Sequence, residues 1–430
     1  MRRDPVPVDP QLAARDEAFW RRQEKRRERG MGQPCCTQSG VSWSMIDVPG
    51  DFAVVVHGEY DCTNCFHHHI GRSARRFFST RLSEAQLTRG ETEAPLRRCL
   101  ELIAREEQPP MVVVLGTCPV EVIGDPFHEV VKRVSAETGV PMVPMRTSGL
   151  KLTSQREMLD WLYTTLAESA PAEDPLDGIC LFGLPAPRLE DSEPVRLLRA
   201  AGVSVRAALP QGASWEDWMA VRGAATTVLV DRSMFPRLLG VLEGGGQEIV
   251  EVPPPVGLQA CRTLYEALDA AADGCLMPVV APELEAAQSA LDDADFSGKR
   301  IGVAIRMLNA YKVDALVHQG LGEVPAFLEA GLEVELLIQG APDEDARAAF
   351  DAALEEGGFG HLTRHIFFGP FALPELLKKQ RYDIVSIADS SHHAALEAEV
   401  PYLPTGALQP YLSGVAANLR MLSQRLGGGR

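Results

Sequence analysis

Short apolar runs rich in β-branched residues alternate along this chain with longer stretches in which apolar residues recur at helical spacing. Residues 52–56 (Phe-Ala-Val-Val-Val) form such a run and end in His57-Gly58, and residues 111–115 (Met-Val-Val-Val-Leu) form another that ends in Gly116. Unbroken apolar runs bounded by glycine are what strands buried on both faces of a parallel sheet look like. Residues 127–138 predict the helix that follows, and 141–145 the next strand. A second unit opens at 178–182, passes through a helix near 195–201 and returns at 203–207; the runs 226–230 and 248–252 extend it. A third opens at 299–305 and continues with strands at 334–338, 365–368 and 384–387. Stretches rich in Ala, Leu and Glu lie between them.

Strands alternating with helices of roughly 10–15 residues predict doubly wound α/β sheets. Pro-rich stretches at 171–185 and 253–255 separate three such blocks. The expected organisation is a charged helical arm over 1–30, Rossmann-like domains over 31–172, 173–297 and 298–405, and a C-terminal helix over 406–430. The repetition is architectural, without a sequence repeat of fixed period. A chain of 430 residues is also too long for one core.

Composition narrows the class. With 45% hydrophobic and 23% charged residues the chain reads as an ordinary globular protein. Its formal net charge of −17 argues against a nucleic-acid partner. The basic exception is the arm, where Phe19 and Trp20 precede Arg21, Arg22, Lys25, Arg26, Arg27 and Arg29; such a run is read first as a solvated face. The chain has no apolar run of about 20 residues, so no membrane span is expected. Arg2, Arg3 and Asp4 run into polar sequence instead of a signal-peptide core, which makes the cytoplasm the expected location. Neither GxGxxG nor GxxxxGK[ST] follows any predicted strand, so no nucleotide is expected to bind this chain.

The nine cysteines are unevenly spread. Cys35, Cys36, Cys62, Cys65, Cys99 and Cys118 fall in the first third, whereas Cys180, Cys261 and Cys275 are scattered. In a reducing compartment, clustering points to metal binding before disulfides. Cys62 follows the strand-ending Gly58, and Cys118 follows Gly116, which puts both in loops at the carboxyl ends of parallel strands, where open α/β sheets bind ligands. Cys36 sits in a Gly/Pro-bounded loop before the first strand. Three thiolates from separate loops suit an iron–sulfur cluster, and a set of three implies that another chain completes it. Cys99, Cys180, Cys261 and Cys275, on predicted helices or strands, read as small core hydrophobes. Cys62 and Cys65 also form a CxxC, compatible with a thioredoxin-like or zinc site, although zinc would need a second pair at similar spacing.

Several segments resemble the nitrogenase component-1 family. His57-Gly58-Glu59-Tyr60-Asp61-Cys62 is similar to its HGxxxC loop, and the stretch from Gly116-Thr117-Cys118-Pro119 through Ile123-Gly124-Asp125 to its third-ligand loop. Cys36 stands 26 residues before Cys62, as the family's first ligand does, with Cys35 as an ambiguous neighbour. Leu82-Ser83-Glu84, Arg89-Gly90-Glu91 and Pro254-Pro255-Val256-Gly257-Leu258 add to the likeness, which extends from about residue 30 to the end.

The resemblance implies that two homologous subunits each give three cysteines, here Cys36, Cys62 and Cys118, to an interface cluster. That cluster would be a P-cluster-like [8Fe-7S] or a [4Fe-4S] centre; Cys35 and Cys65 stay open as alternate ligands. It implies an alpha-type partner, an α2β2 heterotetramer and a separate ATP-dependent iron protein homodimer. Leu229-Val230-Asp231-Arg232-Ser233-Met234 has no cysteine and Val400-Pro401-Tyr402-Leu403-Pro404-Thr405-Gly406 no histidine, where alpha-type subunits hold the catalytic cluster. A beta-type electron-relay subunit is therefore expected, with no catalytic residue of its own. The chain is shorter than typical nitrogenase beta subunits, which favours a nitrogenase-like reductase; methylthio-alkanes are the preferred substrates. Dark-operative protochlorophyllide or chlorophyllide reduction is one alternative, and a non-catalytic scaffold for cofactor assembly another. The run His67, His68 and His69 and the arginines Arg72, Arg75 and Arg76 are read as one helix beside the second ligand, and His392-His393 as the start of a late helix.

Overall fold

The computed structural model describes residues 52–60, 62, 76–147, 155–173, 176–230, 232–306, 321–339, 348, 351–352, 354–355, 357–367, 371–388 and 391–427. The chain divides into two compact units, one within Pro34–Glu251 and one within Val252–Arg430.

The first unit holds two four-stranded sheets. In the first, β1 (Ala53–His57) and β3 (Val112–Gly116) lie at the centre, flanked by β2 (Phe77–Ser79) and β4 (Met142–Arg146), in the order β2-β1-β3-β4. Every residue of β1 and β3 is buried, which is why both read as unbroken apolar runs. All three pairings are parallel, and the central register sets His57 opposite Gly116. Side chains alternate between two cores. Ala53, Val55, Val112 and Val114 pack with helices α1 (Glu84–Arg89), α2 (Glu93–Glu106) and, beyond the turn α3 (Cys118–Val122), α4 (Phe127–Thr138). Val54, Val56, Val113 and Leu115 face the other way, toward Leu162 and Leu166 of α5 (Gln155–Ser169).

Helix ends follow local chemistry where the sequence supplies it. Ser83 and Gln86 close a capping box at the start of α1, and Gly90 ends it in a left-handed conformation at φ 66°. Leu96, Leu100 and Ile103 form the buried stripe of α2; Phe127, Val130, Val131 and Val134 form that of α4.

The second sheet comprises β5 (Ile179–Phe182), β6 (Val205–Leu209), β7 (Thr226–Val230) and β8 (Glu248–Val252), in the order β6-β5-β7-β8. Helices α6 (Glu193–Ala200), α7 (Trp215–Ala220) and α8 (Pro236–Gly244) connect its strands. Asp160, buried on α5, accepts the amides of Arg237 and Leu238 at 3.0–3.2 Å and so caps α8 from a distant element.

The second unit contains the helices α9 (Leu258–Ala271) and α10 (Met277–Asp292), then β9 (Arg300–Arg306), α11 (Val324–Glu329), β10 (Glu333–Gln339), β11 (Thr363–Phe367), α12 (Ala372–Gln380), β12 (Ile384–Ile387), α13 (His392–Glu397), β13 (Tyr402–Pro404) and α14 (Tyr411–Gly427). Its sheet runs β11-β10-β9-β12-β13 with every described pair parallel. Gly257, at φ 94°, lets the chain enter α9 beneath Glu329, whose carboxylate accepts the Leu258 and Gln259 amides at 2.6 and 2.9 Å. A Cβ there would stand 2.8 Å from Glu329 Oε2 and 3.0 Å from Ala326, so the glycine of the Pro-Pro-Val-Gly segment is a packing requirement.

Three parallel sheets carry the strands expected from sequence. Three details differ. The three-residue edge strands β2 and β13 are additions that the apolar runs did not announce. Cys275 is not on a helix or strand; it lies exposed between α9 and α10. Arg76 sits in a turn entering β2 and is not helical. The arm 1–30, the run His67, His68 and His69, and Arg72 and Arg75 lie outside the described residues.

Candidate functional site

The strand order of the first sheet creates the candidate site. From β1 the chain moves to β2 on one side, and from β3 to β4 on the other, so the connections diverge above the adjacent pair β1 and β3. The crevice at such a reversal, outside the carboxyl ends of the strands, is where open α/β sheets take ligands. Cys62 follows β1 and Cys118 follows β3, and both are partly exposed. Cys35, Cys36 and Cys65 lie outside the described residues. Among the described residues, no group of three or more His, Cys, Asp or Glu side chains is arranged to hold a metal ion. Cys62 and Cys118 by themselves do not make such a group.

The two cysteine loops are fastened to each other. The Thr117 amide donates to the His57 carbonyl at 3.1 Å. Gly58 passes so near Thr117 that a Cβ on residue 58 would fall 2.2 Å from the Thr117 hydroxyl oxygen. Gly116 likewise has the Phe127 ring where a Cβ would be, 2.5 Å away. Gly58 is there because the loops touch, and Gly116 because the Phe127 ring of α4 packs on its backbone. Thr147 closes the β4 side by donating its hydroxyl to the Gly116 carbonyl at 2.7 Å. On the β2 side the Thr80 hydroxyl stands 3.1 Å from both His57 Nδ1 and the Gly58 amide, and the Leu82 amide donates to the Gly58 carbonyl at 2.8 Å.

Behind the loops a buried imidazole faces a buried carboxyl group. His57 Nε2 is 3.7 Å from Asp125 Oδ2, an ion-pair distance longer than a hydrogen bond, with side chains 0% and 2% exposed. Burial alone would raise the Asp125 carboxyl; the imidazole of His57, the Thr92 hydroxyl and the Phe127 amide outweigh it and hold the carboxyl below its ordinary value. The pair ties the end of β1 to the end of the Cys118 segment. That segment is a single turn, α3, with Pro119 in its first turn and Gly124, at φ 71°, reversing the chain.

The thiols of Cys99, Cys180 and Cys261 behave as packing groups. Burial pushes the Cys99 thiol up to about 11 and the Cys180 thiol up to about 12. Cys261 is buried and donates to the Pro255 carbonyl at 3.4 Å. By contrast, Cys62 is within reach of Glu59 Oε1, at 3.4 Å, at the site itself.

The donor chemistry fits an iron–sulfur group: soft thiols on adjoining loops, and beside Cys118 a buried Thr117 hydroxyl that has no hydrogen-bond partner among the described residues. Sequence reasoning located the cysteines but missed Thr117, because one threonine before a cysteine carries no pattern.

Of the alpha-type positions, Leu229 and Val230 end β7, and Arg232–Met234 form a 3₁₀ turn whose Arg232 amide donates to Glu251 at 3.0 Å. Tyr402–Pro404 is the edge strand β13. Among the described residues no helix is long and apolar enough to cross a membrane.

Comparison with known proteins gives a consistent picture. Light-independent protochlorophyllide reductase subunit N of Synechococcus sp. (strain CC9605) is 30% identical over 291 residues, covering 64% of this chain and 66%, just under two thirds, of that protein. Nitrogenase iron-molybdenum cofactor biosynthesis protein NifE of Sinorhizobium fredii (strain NBRC 101917 / NGR234) is 23% identical over 374 residues, covering 82% of this chain and 73% of that one. The solved structure "Nitrogenase Cp1 at pH 6.5" superposes with a TM-score of 0.68 at 15% identity, over 92% of this chain and 89% of that one, which establishes the fold. The family described as Nitrogenase component 1 type Oxidoreductase matches residues 36–408, and the chain belongs to it.

Proposed function

We propose that this chain is the electron-relay subunit of a two-component reductase, holding with Cys36, Cys62 and Cys118 one side of an iron–sulfur cluster that a homologous subunit completes. The observation that carries the reading is the exit of the Cys62 and Cys118 loops from neighbouring strands at the reversal of strand order. When bound, the cluster supplies one-electron storage at a buried site. The chain's own residues do the rest: Cys62 and Cys118 offer thiolates, Gly58 lets the loops close, Gly116 admits the Phe127 ring, and the His57–Asp125 pair fixes the Cys118 turn. Tyr60, Val122 and Ile123, large apolar side chains that are 51%, 66% and 45% exposed around these loops, support burial of this end by a partner chain.

The reading extends to an alpha-type partner in an α2β2 assembly and to an ATP-hydrolysing iron protein in the cytoplasm, since neither catalytic-cluster position offers a cysteine or histidine here. Methylthio-alkanes are the preferred substrates on the family resemblance alone, since no residue of the chain names what is reduced. Protochlorophyllide reduction and cofactor assembly gain support from the names of the two relatives. Anaerobic co-purification with the alpha-type partner, with iron and acid-labile sulfide analysis, tests the cluster. Turnover of the complex with methylthio-alkanes and with protochlorophyllide then separates the reductases from a scaffold, which would release cofactor and yield little product. A colourless, iron-free complex would defeat the relay reading.

A further inference from the structure

We infer that the Thr117 hydroxyl donates a hydrogen bond to a sulfur of the iron–sulfur group at Cys118 and thereby raises its reduction potential. The inference rests on the cluster reading above. Thr117 is fully buried and occupies the N-cap position of α3 in extended conformation, φ −77° and ψ 165°. A threonine there ordinarily accepts a bond from one of the first backbone amides of the helix. Thr117 makes no such bond, and Pro119 in the first turn has removed one of the amides it would use. Its Oγ1 finds no other hydrogen-bond partner among the described residues.

Leaving a buried hydroxyl unsatisfied is costly, so such groups in folded proteins ordinarily have an acceptor. This hydroxyl is also held in place. The Thr117 amide is fixed to the His57 carbonyl, its carbonyl accepts the Glu121 amide at 3.0 Å, and the Gly58 backbone packs on Oγ1 and Cγ2. The residue adjoins Cys118 in the chain, at the end of β3 where the two cysteine loops meet. A donor fixed beside a thiolate-held cluster stabilises the reduced, more negative state, because the added electron strengthens the bond.

The test uses the cluster-loaded complex and three variants. Thr117→Val removes the hydroxyl at nearly constant shape, Thr117→Ala removes it without added bulk, and Thr117→Ser retains it. Iron and sulfide per chain are measured first, and the midpoint potential then comes from a redox titration followed by electron paramagnetic resonance. Thr117→Val and Thr117→Ala are expected to keep their iron and to weaken reduction roughly tenfold, a shift of about 59 mV to more negative potential for one electron. Thr117→Ser is expected to titrate like the wild type. If Thr117→Val loses iron, Thr117→Ala decides by the same criterion. Loaded Val and Ala variants with wild-type potential would overturn the inference, as would an equal shift in Thr117→Ser, which would assign the effect to the methyl group. Iron-free wild-type complex would overturn the cluster reading, and this inference with it.

Discussion

Gly58 backs onto Thr117 with no room for a side chain between them: a Cβ on residue 58 would meet Oγ1 at 2.2 Å, Cγ2 at 2.3 Å and Cβ of Thr117 at 2.8 Å. The backbone at the end of one strand and the side chain at the end of its neighbour thus share a single contact, and that contact joins the two cysteine loops.

Gly58→Ala should therefore force the loops apart, at an overpacking cost of roughly 1–3 kcal/mol. Thr117→Ala should recover part of that loss, since it removes the two closest atoms. Thermal unfolding of the two single variants and the double variant measures the coupling; strictly additive losses would show that the loops do not meet there.

Cys62→Ser and Cys118→Ser should each strip iron from the complex with the partner subunit, whereas Cys275→Ser, exposed between α9 and α10, should leave it unchanged. Iron determination on the purified variants is the check. Retention of full iron in Cys118→Ser would remove that residue from the ligand set.

Thiol reactivity should sort the remaining cysteines. In the metal-free folded chain at about pH 8, burial keeps Cys99 and Cys180 protonated, their thiols pushed up to about 11 and about 12. The thiolate is the reactive form. Alkylation followed by peptide mass mapping should mark Cys275 first and spare Cys99 and Cys180 until the chain unfolds.

Much of this was legible because buried parallel strands write themselves plainly. The Val-rich centres of β1 and β3 admit no other reading, and β7, β8 and β12 fall where their apolar runs lie. The edge strands were not legible: Phe77–Ser79 and Tyr402–Pro404 are three residues each, too short for a pattern, and pairing with a longer neighbour creates them. Long-range caps were equally hidden. Nothing near Pro236 foretells that Asp160 of α5 will cap α8, nor does anything near Gly257 point to Glu329. At the site, the residue types and loop positions of Cys62 and Cys118 could be read, but the pairing of His57 with Asp125 could not. That contact depends on the depth of both loops, which no local spacing records.

The acid limb of stability should depend on Glu335. Burial alone would raise its carboxyl, but hydrogen bonds from His365, Arg300 and Tyr382 hold it down to about 2. The bonds to Arg300 and His365 span 2.7 Å and that from Tyr382 2.8 Å. A folded value below the ordinary 4.5 means that its contribution is complete above that value and is lost as pH falls from there through about 2. Glu335→Gln should lower the denaturation midpoint near neutrality and flatten its decline over that acidic window. A decline as steep as that of the wild type would assign it to other carboxylates.

The register that sets His57 opposite Gly116 also determines where this chain can tolerate changes in length. One residue inserted between Val112 and Val113 would turn Val114 toward the face now held by Val113 and Leu115 and those two toward the face it leaves, mixing the contents of two cores at once. It would also carry the Cys118 turn one step beyond the His57 carbonyl that anchors it. A residue inserted after Gly124, downstream of the turn, would leave both strands and the Thr117 contact as they are, although it would pull Asp125 from His57. Length variation is thus harmful inside the strands and costs less with distance beyond Asp125, so the two strand ends act as the fixed datum from which the cysteine loops are measured.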